Sequence, residues 1–184
     1  MIDAVFIDRD GTIGGTGHFI HPSDFKPYPF SLEANDLLKE AGIKVFALTN
    51  QHRISRGQAT IDEFLEEFAN YGFDDAFICP HRPEDLCECH KPKPGMLLKA
   101  AKKHRLDLTK CVVIGDVGAT DMLAASEVGA TKILVKTGWG LDSLGNYRHP
   151  WAHVEPDFIA ENLLDAVHWL LNRDFLHDHD IEMD

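Results

Sequence analysis

Short apolar runs recur along the chain at residues 4–7, 43–48, 74–78, 111–114 and 133–135, and a last one at 158–159. Runs this short, apolar on both alternating faces, suit strands covered on both sides. Between them lie stretches with helical periodicity. Residues 30–41 carry Leu32, Leu37, Leu38 and Ala41 on one side, with Gly42 as the stop; residues 60–71 carry Ile61, Phe64, Leu65 and Phe68. Residues 96–104 and 121–128 also read as helices, and Asn162 caps one running through Leu170. Strands alternating with helices predict an α/β fold with a doubly wound, mainly parallel sheet, Rossmann-like in build. Functional groups in such a fold gather at the carboxyl ends of the strands. Those ends here carry Asp8 and Asp10, Thr49 and Asn50, and Asp116.

The 184 residues suffice for one domain with a sizeable core, expected over 1–172 and including a metal-binding loop at 79–89, with 173–184 as a flexible acidic tail. Thirty acidic against 18 basic residues give a formal charge of −12, which opposes a nucleic-acid backbone or an anionic membrane as the main partner. A small anionic substrate needs only local positive charge. Acids stand at the N-terminus where a signal peptide carries bases, and no apolar stretch approaches the roughly 20 residues of a membrane span. A cytoplasmic, monomeric protein is the expectation, with Trp139, Trp151 and Trp169 as candidates for core or interface.

Asp8 and Asp10 are followed by Gly11, which lets the chain turn sharply away. If strands one and four are neighbours, Asp8 and Asp116 provide two carboxylates for a Mg2+, and the carbonyl of Asp10 a third oxygen. A carboxylate so placed can attack phosphorus in line to form an aspartyl phosphate, while a second acid protonates the leaving oxygen. Asp8 suits the first role and Asp10 the second, since an in-line nucleophile cannot also sit beside the leaving group. Thr49, Asn50 and Lys91 are candidates to balance phosphoryl charge, Pro92 and Pro94 stiffening the loop around the lysine. Asp121 could bind the metal or its water, orient Lys91 or cap the next helix.

A second constellation is Cys79-Pro80-His81 followed by Cys87-Glu88-Cys89. Three sulfurs and one imidazole make a tetrahedral Zn2+ set with no open position, hence a structural metal that sets the placement of His90 and Lys91. Cys111 stands apart as a buried thiol. The Gly- and Pro-rich stretch 13–29 reads as a long loop at the site entrance, with His18, His21 and Lys26 as possible contacts. Residues 137–151 read as loop.

In order and spacing, Asp8-Arg9-Asp10-Gly11-Thr12, Thr49-Asn50-Gln51, Lys91-Pro92 and Gly115-Asp116 with Asp121 resemble the motifs of the haloacid dehalogenase-like phosphatases. The cysteine-histidine loop narrows the resemblance to the zinc-containing subgroup that acts on D,D-heptose 1,7-bisphosphate and on histidinol phosphate. The resemblance implies a minimal cap, Asp8 as nucleophile, Asp10 as acid/base, Thr49 and Lys91 as phosphate ligands, and Asp8, Asp10 and Asp116 around Mg2+. It implies a phosphomonoester hydrolase for a small phosphorylated metabolite, a sugar phosphate or bisphosphate first. Histidinol phosphate, a nucleotide or nucleic-acid end, a sugar acceptor for the phosphoryl group and a non-catalytic zinc-stabilised interaction protein are the alternatives. Two departures touch substrate contacts. His90 stands where the family has Arg, and His52-Arg53 where it has Ser-Gly, making Asn50, Arg53 and His90 the candidate substrate-binding residues.

Overall fold

Every residue of the first apolar run is fully buried, and the run forms the central strand β1 (Ala4–Ile7). The structure, a computed structural model, describes the backbone of residues 1–181 and the side chains of residues 1–173. With β2 (Lys44–Asn50), β3 (Asp75–Cys79), β4 (Cys111–Gly115), β5 (Thr131–Val135) and β6 (Phe158–Ala160) it builds one six-stranded sheet in the order β3-β2-β1-β4-β5-β6. Every pairing is parallel. The chain winds outward from β1 to β3 and then crosses to β4 on β1's other side. A crevice therefore opens at the carboxyl ends of β1 and β4.

The strand period of two divides the core. Val5 and Ile7 of β1 pack with Ala34 and Leu38 of α1 (Ser31–Glu40), Phe64 and Phe68 of α2 (Ile61–Asn70), and the apolar side of α6 (Leu163–Ile181). Ala4 and Phe6 face the other way, toward Met96, Leu97 and Ala100 of α3 (Gly95–His104) and the two alanines of α4 (Leu123–Val128). Each buried Phe or Leu contributes about 1.5–3 kcal/mol. Over 173–181, expected as the start of a flexible tail, the backbone continues α6, and residues 182–184 lie outside the described residues.

Two helices are rotated from the faces that periodicity alone suggests. In α1 the buried residues are Ser31, Ala34, Asn35 and Leu38, and Leu32 is exposed. In α2 they are Phe64, Glu67 and Phe68, while Ile61 and Leu65 are partly exposed. The reason is the polar partners beneath: Ser31 donates to the Ile13 carbonyl and Glu67 receives a buried arginine. The start of α2 follows its sequence signal, since Thr60 and Glu63 form a reciprocal capping box.

The segment read as loop over 137–151 contains α5 (Gly140–Leu144) and a 3-10 turn, His149–Trp151. Trp151 is wholly buried, its Nε1 donating to the Ser143 carbonyl at 3.0 Å. It is therefore a core residue, ruled out as an exposed interface residue. Gly118 gives it room: a Cβ there would lie 1.9 Å from the indole. Trp169 stacks on Phe158 with ring centroids 4.8 Å apart.

Candidate active site

β1 ends one residue before Asp8, whose N–H donates to the Ile114 carbonyl of β4 at 3.0 Å. That ladder bond places Asp8 beside Asp116, which follows β4 directly. Asp121, on the irregular turn Gly118–Met122, completes a group in which one carboxylate oxygen from each of Asp8, Asp116 and Asp121 lies within 4.8 Å of the others. Two glycines make space for Asp116. A Cβ on Gly11, at φ +86°, or on Gly138, at φ +56°, would come within 2.2 Å of its Oδ2. Gly11 is thus required both for its left-handed backbone and for the approach of a carboxylate. Thr12 Oγ1 donates to Asp116 Oδ1 at 3.3 Å, and the Trp139 N–H donates to Oδ2 at 2.8 Å.

Lys91 enters this cluster from the 79–95 loop and is 3% exposed. Its ammonium donates to Asp8 Oδ1 at 3.0 Å, Asp121 Oδ1 at 2.6 Å and the Leu48 carbonyl at 2.7 Å. Asn50 fixes the same residue by its backbone. The Asn50 amide donates to the Lys91 carbonyl at 3.1 Å, and the Lys91 N–H donates to Asn50 Oδ1 at 2.9 Å. The side chain of Asn50 therefore orients Lys91, a role that the sequence pattern did not reveal.

One ammonium faces three carboxylates. Burial, then Asp8 and Asp121, push Asp116 well above the ordinary carboxylate range. Burial raises Asp121 to about 6 in spite of Lys91. Burial disfavours the charge on Lys91, but Asp121 and Asp8 outweigh it and push the lysine up. This uncompensated negative charge, made of oxygen donors alone, fits a hard divalent cation.

Asp10 stands apart from that cluster. Gln51 donates to its Oδ2 at 2.6 Å and Arg9 to its Oδ1 at 2.8 Å. Burial raises its pKa, opposed by Arg9 and Gln51. Gln51 also donates to Thr49 Oγ1 at 2.9 Å, which leaves the threonine O–H free to point elsewhere. Arg9, Gln51 and Glu67 did not emerge from sequence reasoning as site residues. Arg9 carried one signal, its place between two acids at a strand end, and Gln51 stood in the motif Thr49-Asn50-Gln51 without a role, while Glu67 carried none.

Cys79, His81, Cys87 and Cys89 converge so that one donor atom from each lies within 4.8 Å of the rest. Cys79 Sγ is 3.7 Å from Cys87 Sγ, 3.1 Å from Cys89 Sγ and 3.6 Å from His81 Nδ1. Tetrahedral Zn2+ with bonds of about 2.3 Å has donor–donor edges of roughly 3.7 Å, so the donor set fits this ion. Burial raises the Cys87 thiol, but backbone N–H groups at His90 and Cys89 and the neighbouring thiols bring it down to about 7. Burial pushes Cys79 up. All four cysteines are free. Lys93 donates to the Cys87 carbonyl at 2.6 Å, tying the loop together just after Lys91.

Several basic side chains lie near one another on the segments 52–56 and 82–93. His52 is lowered by burial and then by Arg56, Arg53 and Arg82, with Glu84 opposing. His90 is lowered by burial, His52, Lys91 and Lys93, against a backbone contact at His81. Arg53 stacks over Phe19 at 5.5 Å and donates to Gln58 at 3.0 Å, while its Nε is buried without a partner among the described residues. Of the entrance-loop candidates, His18 packs edge-on against Trp139 and His21 lies 3.3 Å from Glu63.

A doubly wound sheet with this constellation at its switch point defines the haloacid dehalogenase-like phosphatases, and the chain belongs to that family. The HAD-hydrolase-like family model matches residues 88–166. The chain is 34% identical over 186 aligned positions to the D-glycero-beta-D-manno-heptose-1,7-bisphosphate 7-phosphatase of Vibrio cholerae, covering 91% of this chain and 96% of that protein. The enzyme of that name from Helicobacter pylori strain J99 is 32% identical, with the same coverage. The D,D-heptose 1,7-bisphosphate phosphatase from B. bronchiseptica, solved with magnesium and phosphate, superposes with a TM-score of 0.81 at 30% identity. It covers 94% of this chain and 99% of its own. The chain is accordingly a phosphatase. No helix among the described residues is long and apolar enough to cross a membrane.

Proposed function

We propose that the chain is a Mg2+-dependent phosphatase that removes one phosphoryl group from a sugar bisphosphate in the cytoplasm. The observation that carries this reading is the buried Lys91 ammonium bridging Asp8 and Asp121, with Asp10 held separately beside them. Asp8, the Asp10 carbonyl and Asp116 would hold Mg2+, with Asp121 next to them. The ion would neutralise phosphoryl oxygens and the carboxylate cluster together. Asp8 attacks phosphorus, the ester P–O bond breaks, and Asp10 gives its proton to the departing oxygen. Asp10 then takes a proton from the water that attacks the aspartyl phosphate. Inorganic phosphate leaves and Asp8 is regenerated. Lys91 and the Thr49 hydroxyl balance charge on the transferring group, and Asn50 keeps Lys91 in place.

A second anionic group on the substrate is favoured by this group of basic side chains. In a chain of formal charge −12, Arg53, Arg56 and Arg82 all lie close enough to His52 to lower it, with one acid, Glu84, opposing them. The orphaned Nε of Arg53 is a donor in search of an acceptor. The relatives named above act on a heptose bisphosphate, which carries such a group. Zn2+ on Cys79, His81, Cys87 and Cys89 would hold the loop that delivers Lys91, and the four free thiols suit a reducing compartment.

The test is steady-state hydrolysis across sugar mono- and bisphosphates, histidinol phosphate and nucleotides, with Mg2+, with EDTA, and with Asp8→Asn. Preference for a bisphosphate, lost with EDTA or Asp8→Asn and weakened by Arg53→Ala, is expected. Full turnover by clean Asp8→Asn protein would overturn the mechanism, and a preference for monophosphates the substrate.

A further inference from the structure

Arg9 is wholly buried, yet it is the residue between the nucleophile and the acid/base. Its guanidinium makes a two-pronged contact with Glu67 of α2, Nε to Oε2 at 2.6 Å and Nη2 to Oε1 at 2.7 Å. The remaining Nη1 donates to Asp10 Oδ1 at 2.8 Å. Phe25 of the entrance loop lies 3.9 Å from the guanidinium carbon and Phe64 of α2 lies 4.8 Å from it. Gln51 takes the other oxygen of Asp10 at 2.6 Å. Both oxygens of Asp10 therefore have fixed donors, and one of those donors is itself locked from a second helix.

We propose that Arg9 and Glu67 are positioning residues for phosphoryl transfer, a clamp that aims Asp10 at the leaving oxygen. This rests on Asp10 being the acid/base of the proposed function. Desolvating an arginine and a glutamate is expensive, and an apolar pair of similar volume is often as stable. Orientation is what an apolar pair could not supply. The planar fork has one rotational setting when both Glu67 oxygens are engaged, so the third prong points in one direction. Held this way, Asp10 lies outside the Asp8, Asp116 and Asp121 cluster.

The chemistry separates orientation of an acid from mere stability. A 4-nitrophenolate leaves without help, whereas a sugar alkoxide needs its proton in the transition state. The ratio kcat/KM reports steps up to formation of the aspartyl phosphate, where only the acid function of Asp10 is used. The experiment measures kcat/KM for 4-nitrophenyl phosphate and for the best alkyl phosphate of the substrate panel, in Mg2+. The proteins are wild type, Asp10→Asn, Glu67→Gln and the apolar double variant Arg9→Met/Glu67→Met, with thermal melts of each.

The double variant should stay folded and lose roughly 10–100-fold on the alkyl phosphate, a part of what a general acid contributes, while losing less than about threefold on the aryl ester. Glu67→Gln should show the same selectivity in weaker form. Equal losses on both substrates by folded Glu67→Gln and double variants, beside a selective Asp10→Asn, overturn the clamp alone. If Asp10→Asn is itself unselective, the acid/base assignment fails and the clamp fails with it.

Discussion

Replacing Lys91 by Met tests how the carboxylate cluster is held together. The ammonium is 3% exposed and within 3.0 Å of Asp8 and 2.6 Å of Asp121, and Asp121 is 1% exposed. Its removal leaves Asp121 buried beside Asp8 and Asp116 with no cation of its own. Breaking a buried pair from one side costs about 3–5 kcal/mol, a large part of the ~5–15 kcal/mol that holds a domain together. At a urea m-value of about 2 kcal/mol/M, the unfolding midpoint of zinc-loaded protein without added Mg2+ at pH 7 should fall by roughly 1.5–2.5 M. Lys91→Met/Asp121→Asn should recover more than half of that loss, because the second change removes the orphaned charge. The deficit of the single variant should also shrink toward pH 5, where protonation of Asp121 does the same. The assay is equilibrium urea unfolding followed by tryptophan fluorescence and far-UV circular dichroism. A single variant within about 1 kcal/mol of wild type, or a double variant worse than the single, would refute the account.

Two further predictions concern the metals. For a carboxylate whose pKa is raised in the fold, the native state binds the extra proton, so its contribution falls as pH rises from the unfolded value through the folded one. Asp10, Asp116 and Asp121 have this sign, Asp121 reaching about 6, whereas His52 and His90, being lowered, contribute the opposite slope. The histidines cancel in the difference between zinc-loaded protein with and without added Mg2+, no chelator being present, so the stabilisation by Mg2+ should grow between pH 5 and pH 7. Paired melting curves check this, and a flat or falling difference counts against Mg2+ on these carboxylates. Stripping Zn2+ with a strong chelator should release one Zn2+ per chain, as seen with a colorimetric indicator. It should also lower kcat by at least about tenfold by freeing the loop before Lys91, with recovery on Zn2+ addition. Unchanged kcat in verified zinc-free protein would uncouple the loop from the site.

Alternation of apolar runs with amphipathic segments already specified the strands and most helices, because burial on both faces leaves a continuous apolar signature that needs no knowledge of neighbours. The same holds for Asp8, Asp10 and Asp116 as strand-end groups and for the Cys79–Cys89 cluster, whose members lie within a few residues of each other. Faces of helices were less legible. Glu67 lies on the buried side of α2 because Arg9, 58 residues earlier, requires it there, and nothing in local periodicity encodes such a partner. Asn50 could be read as a strand-end amide, but its use on the Lys91 backbone, 41 residues away, exists only once β2 and the cysteine-histidine loop lie side by side. Gly138 and Trp151 passed for loop residues until the sheet brought Asp116 and Gly118 against them. Local pattern thus determined which segments form elements and which residue types end them. Tertiary structure decided which charges meet, because the free energy of a buried polar group depends on partners that the chain supplies from far away.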